Sequence, residues 1–206
     1  VGYQGKVGPV TLAAAYSPKM DMGTLDKYKG LFAGAGDFDI PANYGLGVAV
    51  SVIPAVTVAL DWMRIEYSGV PSVGNPSSNQ APLGSANGPG FGWKDIDVYK
   101  LGVQWQASPQ LTLRAGYNKG DNPITAADVS FNIIAPGVTK THYTLGGTMQ
   151  LGGNSELTMA YMYAPKVSVT GYSMLNSPTL LGPGNGGQET IWMKQQSLGM
   201  AWAMRF

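Results

Sequence analysis

Apolar and polar side chains alternate one for one along much of the chain. In Leu111 to Asn118, Leu111, Leu113, Ala115 and Tyr117 share one face of an extended strand, and Thr112, Arg114, Gly116 and Asn118 share the other. In the segment before it, Tyr99, Leu101, Val103 and Trp105 oppose Val98, Lys100, Gly102 and Gln104. In the segment after it, Tyr143, Leu145, Gly147, Met149 and Leu151 oppose His142, Thr144, Gly146, Thr148 and Gln150. At the C-terminal end, Leu198, Met200, Trp202, Met204 and Phe206 alternate with Gly199, Ala201, Ala203 and Arg205. Helical periodicity is almost absent. The pattern predicts eight strands, at 10–21, 40–52, 56–67, 96–106, 110–118, 140–151, 155–166 and 192–206. Within 56–67 the alternation slips by one near Met63, and a β-bulge there would return Arg64 and Glu66 to the polar face.

The connections alternate in length. KVGP, IPAV, ASPQ and LGGN read as tight turns, and between them lie long loops at 22–39, 68–95, 119–139 and 167–191. Strands of this length with short turns at one end and long loops at the other predict an all-β transmembrane antiparallel barrel, its turns periplasmic and its loops external. The large apolar faces would then meet lipid, and the faces rich in Gly, Ala, Ser and Thr would line the lumen. A soluble sandwich or Greek key of eight strands is the competing architecture. The aromatics Tyr16, Tyr44, Trp62, Tyr67, Tyr99, Trp105, Tyr117, Tyr143, Tyr163, Trp192 and Trp202 fall mostly near strand ends, where girdle residues meet the membrane interfaces.

Composition favours the membrane reading. Charged residues make up 12% of the 206, about half the usual share, while mean hydropathy is near zero. Net charge is +1 without a basic block, which argues against nucleic acid as a partner. With no Cys, thiolate metal sites and Cys nucleophiles are excluded. The most apolar run, Leu46 to Leu60, is too short for a membrane helix and contains Ser51 and Pro54. The opening VGYQGKVGPV has no signal-peptide core, and residues 1–6 read as the tail of a descending strand, so the chain is expected to be part of a longer barrel.

The segments VGYQGKVGPVTLAAAYSPKM, LDKYKGLFAGAGDFDIPANYGLGVAV, IEYSGVPSVGNP, LGSANGPGFGWKDIDVYKLGVQWQASPQLTLRAGYNKGDNPI, FNIIAPGV and SLGMAWAMRF resemble the FadL/TodX/OmpP1 family of outer-membrane transporters for hydrophobic compounds. The resemblance implies that residues 1–206 are the C-terminal portion of a single barrel domain of 14 strands, with the N-terminal hatch and early strands absent. It implies passive uptake of long-chain fatty acids or aromatic hydrocarbons across the outer membrane of a Gram-negative bacterium. Outer-membrane lipid and lipopolysaccharide would surround the wall. The terminal Phe206 resembles the signal by which such proteins reach the barrel-assembly machinery.

The resemblance also places part of an external capture groove on loop 22–39. Read physically, Leu25, Tyr28, Leu31, Phe32 and Phe38 are apolar side chains in a loop that should be wet, and Lys27 and Lys29 could meet a carboxylate head group. The alternative is a lid in which these residues pack on neighbouring loops. Inside the barrel, Lys100 and Arg114 could hold a fatty-acid carboxylate. Alternatively, with Asp61, they form a ladder of salt bridges between strands. His142 is the only histidine, and no cluster has metal-ligand spacing, so neither catalysis, a metal nor a cofactor is expected. The other functions left open are a structural or adhesive barrel with partner-binding loops, and an outer-membrane lipase-type enzyme.

Overall fold

The computed structural model describes residues 1–152, 154–173 and 187–205. Its strands form one 9-stranded antiparallel sheet in which each strand pairs with its neighbour in sequence. They are β1 (Gly2–Val7), β2 (Val10–Ser17), β3 (Asn43–Ile53), β4 (Val56–Ile65), β5 (Ile96–Gln106), β6 (Leu111–Gly120), β7 (Thr141–Leu151), β8 (Ser155–Tyr172) and β9 (Gln188–Met204). β1 is the strand tail expected at residues 1–6, and the other eight are the predicted strands. Among the described residues the only helical pieces are single turns in the long connections, such as Asp26–Tyr28 and Phe131–Ile133. Among the described residues β1 and β9 do not pair with each other, and the sheet is open.

The register sorts side chains as the alternation demands. One rung joins Ala115, Leu145, Tyr161 and Leu198 on the outward face. The rung Thr11, Ala49, Ala59, Gly102, Gly116, Thr144 lies on the inward face. The outward face is broadly accessible, as at Leu46, Leu60, Leu145, Leu198 and Met200. Nothing among the described residues covers this face, as a lipid-facing barrel wall requires. Tyr117, Tyr143 and Tyr163 occupy one outward rung and Trp62 and Tyr99 another, marking the loop-side girdle.

The expected bulge near Met63 is absent. β4 stays in register with both neighbours through Arg64 and Ile65, so Arg64 shares the outward face with Trp62 and Leu60. The polarity itself inverts above the girdle. Arg64 and Asp97 point outward, while Met63, Ile65, Ile96 and Val98 point inward, where Ile96 and Val98 are buried. At that height water lies outside the wall and packed loops lie inside it. Register irregularities occur instead between Ser51 and Ile53, and between Ala164 and Val167.

Strand limits also differ from expectation. β2 stops at Ser17 and β4 at Ile65, because the chain then turns into loops; beyond β2 only the bridge between Met20 and Ile40 continues the pairing. β8 and β9 instead run to 18 and 17 residues, past the predicted limits at 166 and 192. Eighteen extended residues span roughly 60 Å against a hydrocarbon thickness of about 30 Å, so even when tilted this hairpin projects beyond the membrane. Its upper part is stabilised by packing: Ile191, Val167, Val169 and Met193 lie against Ile124, Val129, Val138 and Trp93.

Candidate functional site

The buried apolar side chains of the chain gather in the loops and at the strand tops, not in the membrane-spanning wall. Their centre is an aromatic cluster contributed by three separate loops. Phe91 is 3% exposed and contacts Phe32, Phe38, Trp93 and Phe131 at centroid distances of 6.0, 6.1, 6.3 and 5.5 Å. Phe32 also meets Phe38 at 5.1 Å and Tyr28 at 5.8 Å. Tyr67 stacks edge-on against Trp93 at 5.0 Å, so it belongs to the loop layer and not to the girdle.

Polar side chains fasten this layer. Asn132 is fully buried: its amide donates to the Phe91 and Asp128 carbonyls, and its oxygen accepts from Trp93 Nε1 at 2.6 Å. Asp128, 3% exposed, accepts from the Ser77 N–H and hydroxyl at 2.9 Å each and from Thr125 Oγ1 at 2.7 Å. Ser72 donates to the carbonyls of Ala33 and Asp37, tying the second loop to the first.

The first loop is closed at its base by charge. Lys19 Nζ binds Asp39 at 2.5 Å and Asp21 at 3.1 Å, and the Asp39 carboxylate also accepts from the Met22 N–H at 2.8 Å. These bonds, to Lys19 first and then to Met22, hold the Asp39 carboxyl below the usual carboxylate range. Asp37 moves upward, chiefly through burial and then through its hydrogen bond to Asp39. The bonds to Asp39 and Asp21 push Lys19 above its ordinary value.

The structure divides the sequence candidates into two groups. Leu25, Tyr28, Leu31, Phe32 and Phe38 come together in the loop layer. Phe32 and Leu31 are partly covered, whereas Leu25, Tyr28 and Phe38 are 41%, 52% and 36% exposed. Lys27 and Lys29 are exposed beside them. Lys100 and Arg114 lie on the inward wall of adjacent strands, far from this cluster and from each other. Lys100 faces Asn118 and Arg114 faces Gln104, four residues or about 13 Å along the strands. The salt-bridge ladder is not formed. Asp61 pairs in register with Lys100, but its carboxylate lies over Gly47, where a β-carbon would collide with it. Arg114 is held by neutral groups: Nε donates to Gln104 at 2.9 Å and a terminal nitrogen to Thr148 at 2.8 Å, and Thr148 bonds Thr158 at 2.9 Å.

Two concavities matter. A small inward one of about 190 Å³ lies among Asp61, Lys100, Asn118, His142 and Thr144; the buried His142 Nδ1 has no hydrogen-bond partner among the described residues. A larger one, about 800 Å³, is lined mainly by outward residues, including Leu12, Leu46, Leu60, Trp62 and Leu101. It faces lipid and so cannot be the lumen. Phe91, Trp93, Phe131 and Asn132 were not singled out by sequence reasoning. The available signal was an aromatic pair inside the Gly-rich GPGFGWKD, of which Phe91 is buried and Trp93 half-buried. Phe206 lies outside the described residues.

Comparison with known proteins places this architecture. Similar folds occur in the toluene transporter TodX of P. putida (TM-score 0.58, 18% identity, 98% of this chain and 46% of that one). They occur also in a FadL homologue of Pseudomonas aeruginosa (0.64, 18%, 98% and 50%) and in the toluene transporter TbuX of Ralstonia pickettii (0.53, 14%, 96% and 44%). The chain thus spans half or less of each of these proteins. No curated protein matches it. The family model for Gram-negative porins matches residues 1–166. With an antiparallel wall, an apolar outer face, a girdle and alternating turns and loops, the chain belongs to the Gram-negative porin family, as outer-membrane β-barrel wall of the fold that TodX, TbuX and the FadL homologue share.

Proposed function

We propose that the chain is the C-terminal portion of a single barrel domain that passes hydrophobic molecules, fatty acids or aromatic hydrocarbons, across the outer membrane without chemical conversion. One observation carries the reading: through Trp93 the aromatic cluster of the loops continues into the apolar cluster of Ile124, Val129, Val138 and Ile191 at the tops of β8 and β9. Below it the inner wall is small-residued, with Gly45, Gly47, Ala49, Ala59, Gly102 and Gly116. Exposed Leu25, Tyr28 and Phe38 at the edge of the cluster are the capture surface, and Lys27 and Lys29 receive an acidic head group. Loop packing and capture thus share one patch. Lys100, which lines the same small hollow as His142, meets the carboxylate lower in the lumen.

A second reading, an aqueous pore for small polar solutes, is favoured by the Gln104–Arg114–Thr148–Thr158 chain on the wall. Proteoliposomes carrying the full-length protein separate the two. Labelled oleate and toluene should enter faster than into protein-free vesicles, while sugar-driven swelling should remain near background. Swelling without hydrophobic flux would overturn the first reading. Lys100→Ala should slow oleate several-fold and leave toluene unchanged, since only the former carries a charge.

A further inference from the structure

We propose that the outward rim of β6–β9 is a binding site for the phosphorylated headgroup of an acylated glycolipid in the outer leaflet. Three lysines converge there. Lys119 lies outward on β6, two residues above Tyr117, and pairs in register with Thr141. Lys194 lies outward on β9 by the same alternation that places Trp192, Gln196 and Leu198 there. Lys166, in the irregularity of β8 between Ala164 and Val167, reaches the same face, since its ammonium stands 4.6 Å from the outward Trp192 ring. The Lys194 ammonium stands 5.6 Å from Tyr163. With strands about 4.8 Å apart, the cations span about 14 Å along one level.

All three are exposed, and none has a carboxylate partner among the described residues. The contrast with β4 and β5 is informative. There the outward Arg64 is neutralised by Asp97 at 3.0 Å and Asp95 at 3.6 Å, and Asp97 also accepts from Trp62 Nε1.

Directly beneath runs the rung Tyr117, Tyr143, Tyr163, whose first two rings are 5.4 Å apart; below it the face is apolar at Leu145, Tyr161 and Leu198. Cations at headgroup height, hydroxyls at the interface and an apolar face below match phosphate, sugar and acyl chains in that order. Free phosphate would use only the first of these.

The test uses the full-length protein in phosphatidylcholine nanodiscs, with purified lipopolysaccharide as probe and retained lipid read by native mass spectrometry. The wild type should retain lipopolysaccharide, and retention should weaken with added salt. The dephosphorylated lipid should bind about tenfold more weakly or worse, and millimolar inorganic phosphate should not displace the lipid. Lys119→Gln/Lys166→Gln/Lys194→Gln should lose retention to a similar degree, whereas Lys6→Gln, at the turn side of β1, should not. Equal retention of the two lipid forms by the wild type overturns the proposal whether or not the triple variant folds. Displacement by inorganic phosphate, or full retention by a folded triple variant, overturns it equally.

Discussion

Lys19 and Asp39 hold the two ends of the first long loop together, and their titration sets when it opens. The folded Asp39 carboxyl titrates below its ordinary range, so its contribution is present above the ordinary aspartate pKa and lost as pH falls through the lower, folded value. Lys19 is shifted upward, so its contribution holds below the ordinary lysine value and is lost only as pH rises through the raised one. Asp37, shifted upward by burial, works the other way: acid relieves its penalty before Asp39 lets go. Protection of the Met20, Met22 and Ile40 amides against hydrogen exchange, relative to their intrinsic rates, should therefore be high from mildly acidic to alkaline pH and fall in stronger acid. In Asp39→Asn that protection should be low throughout. Gly92 offers a second test: its φ is +69°, and an added β-carbon would strike the Asp128 carboxylate. Gly92→Ala should expose 66–95 to limited proteolysis while the strands stay protected.

At the scale of elements, strand and loop draw stability from different media. The wall relies on backbone pairing and lipid, the loop layer on its own buried rings. Leu145 is 63% exposed on the outward face of β7, below Tyr143, whereas Thr144 beside it faces inward. Leu145→Arg should cost about 2–4 kcal/mol in vesicle unfolding, and Thr144→Arg much less, because only the first puts a cation into hydrocarbon. Equal costs would mean that the faces are reversed. Phe91→Ala should remove about 3–5 kcal/mol from the loop layer. Faster proteolysis between β4 and β5, with unchanged heat-modifiable migration of the barrel, would show the two layers to be separable.

At the scale of the whole molecule, the sheet has two edges, β1 and β9, with no partners among the described residues. Each unmet backbone group in hydrocarbon costs several kcal/mol, so such edges do not persist in a bilayer. Closing nine strands on each other would leave an interior of Gly and Ala side chains with large voids. We therefore expect the 206-residue chain refolded alone to give no discrete heat-modifiable monomer, and a longer chain supplying further strands to give one. A sharp folded monomer of 1–206 would refute this.

Period-two alternation by itself determined the strands, the wall's two faces and the alternation of turns with loops, because a side chain's face depends only on its place in an extended segment. Leu111–Asn118 could be assigned without knowing what surrounds it. The alternation could not decide where the medium changes. Arg64 and Met63 looked like a slip in phase, yet the register is continuous and it is the surroundings that invert above the girdle. Nor could it reach the loop layer. Phe32, Phe91 and Phe131 lie on three separate loops with no shared period, and only the folded chain brings their rings within 6.0 Å or less of Phe91. Likewise Lys119, Lys166 and Lys194 are scattered in sequence and become one level only when strand pairing aligns them. Local periodicity encodes what each residue faces; long-range pairing decides which residues meet.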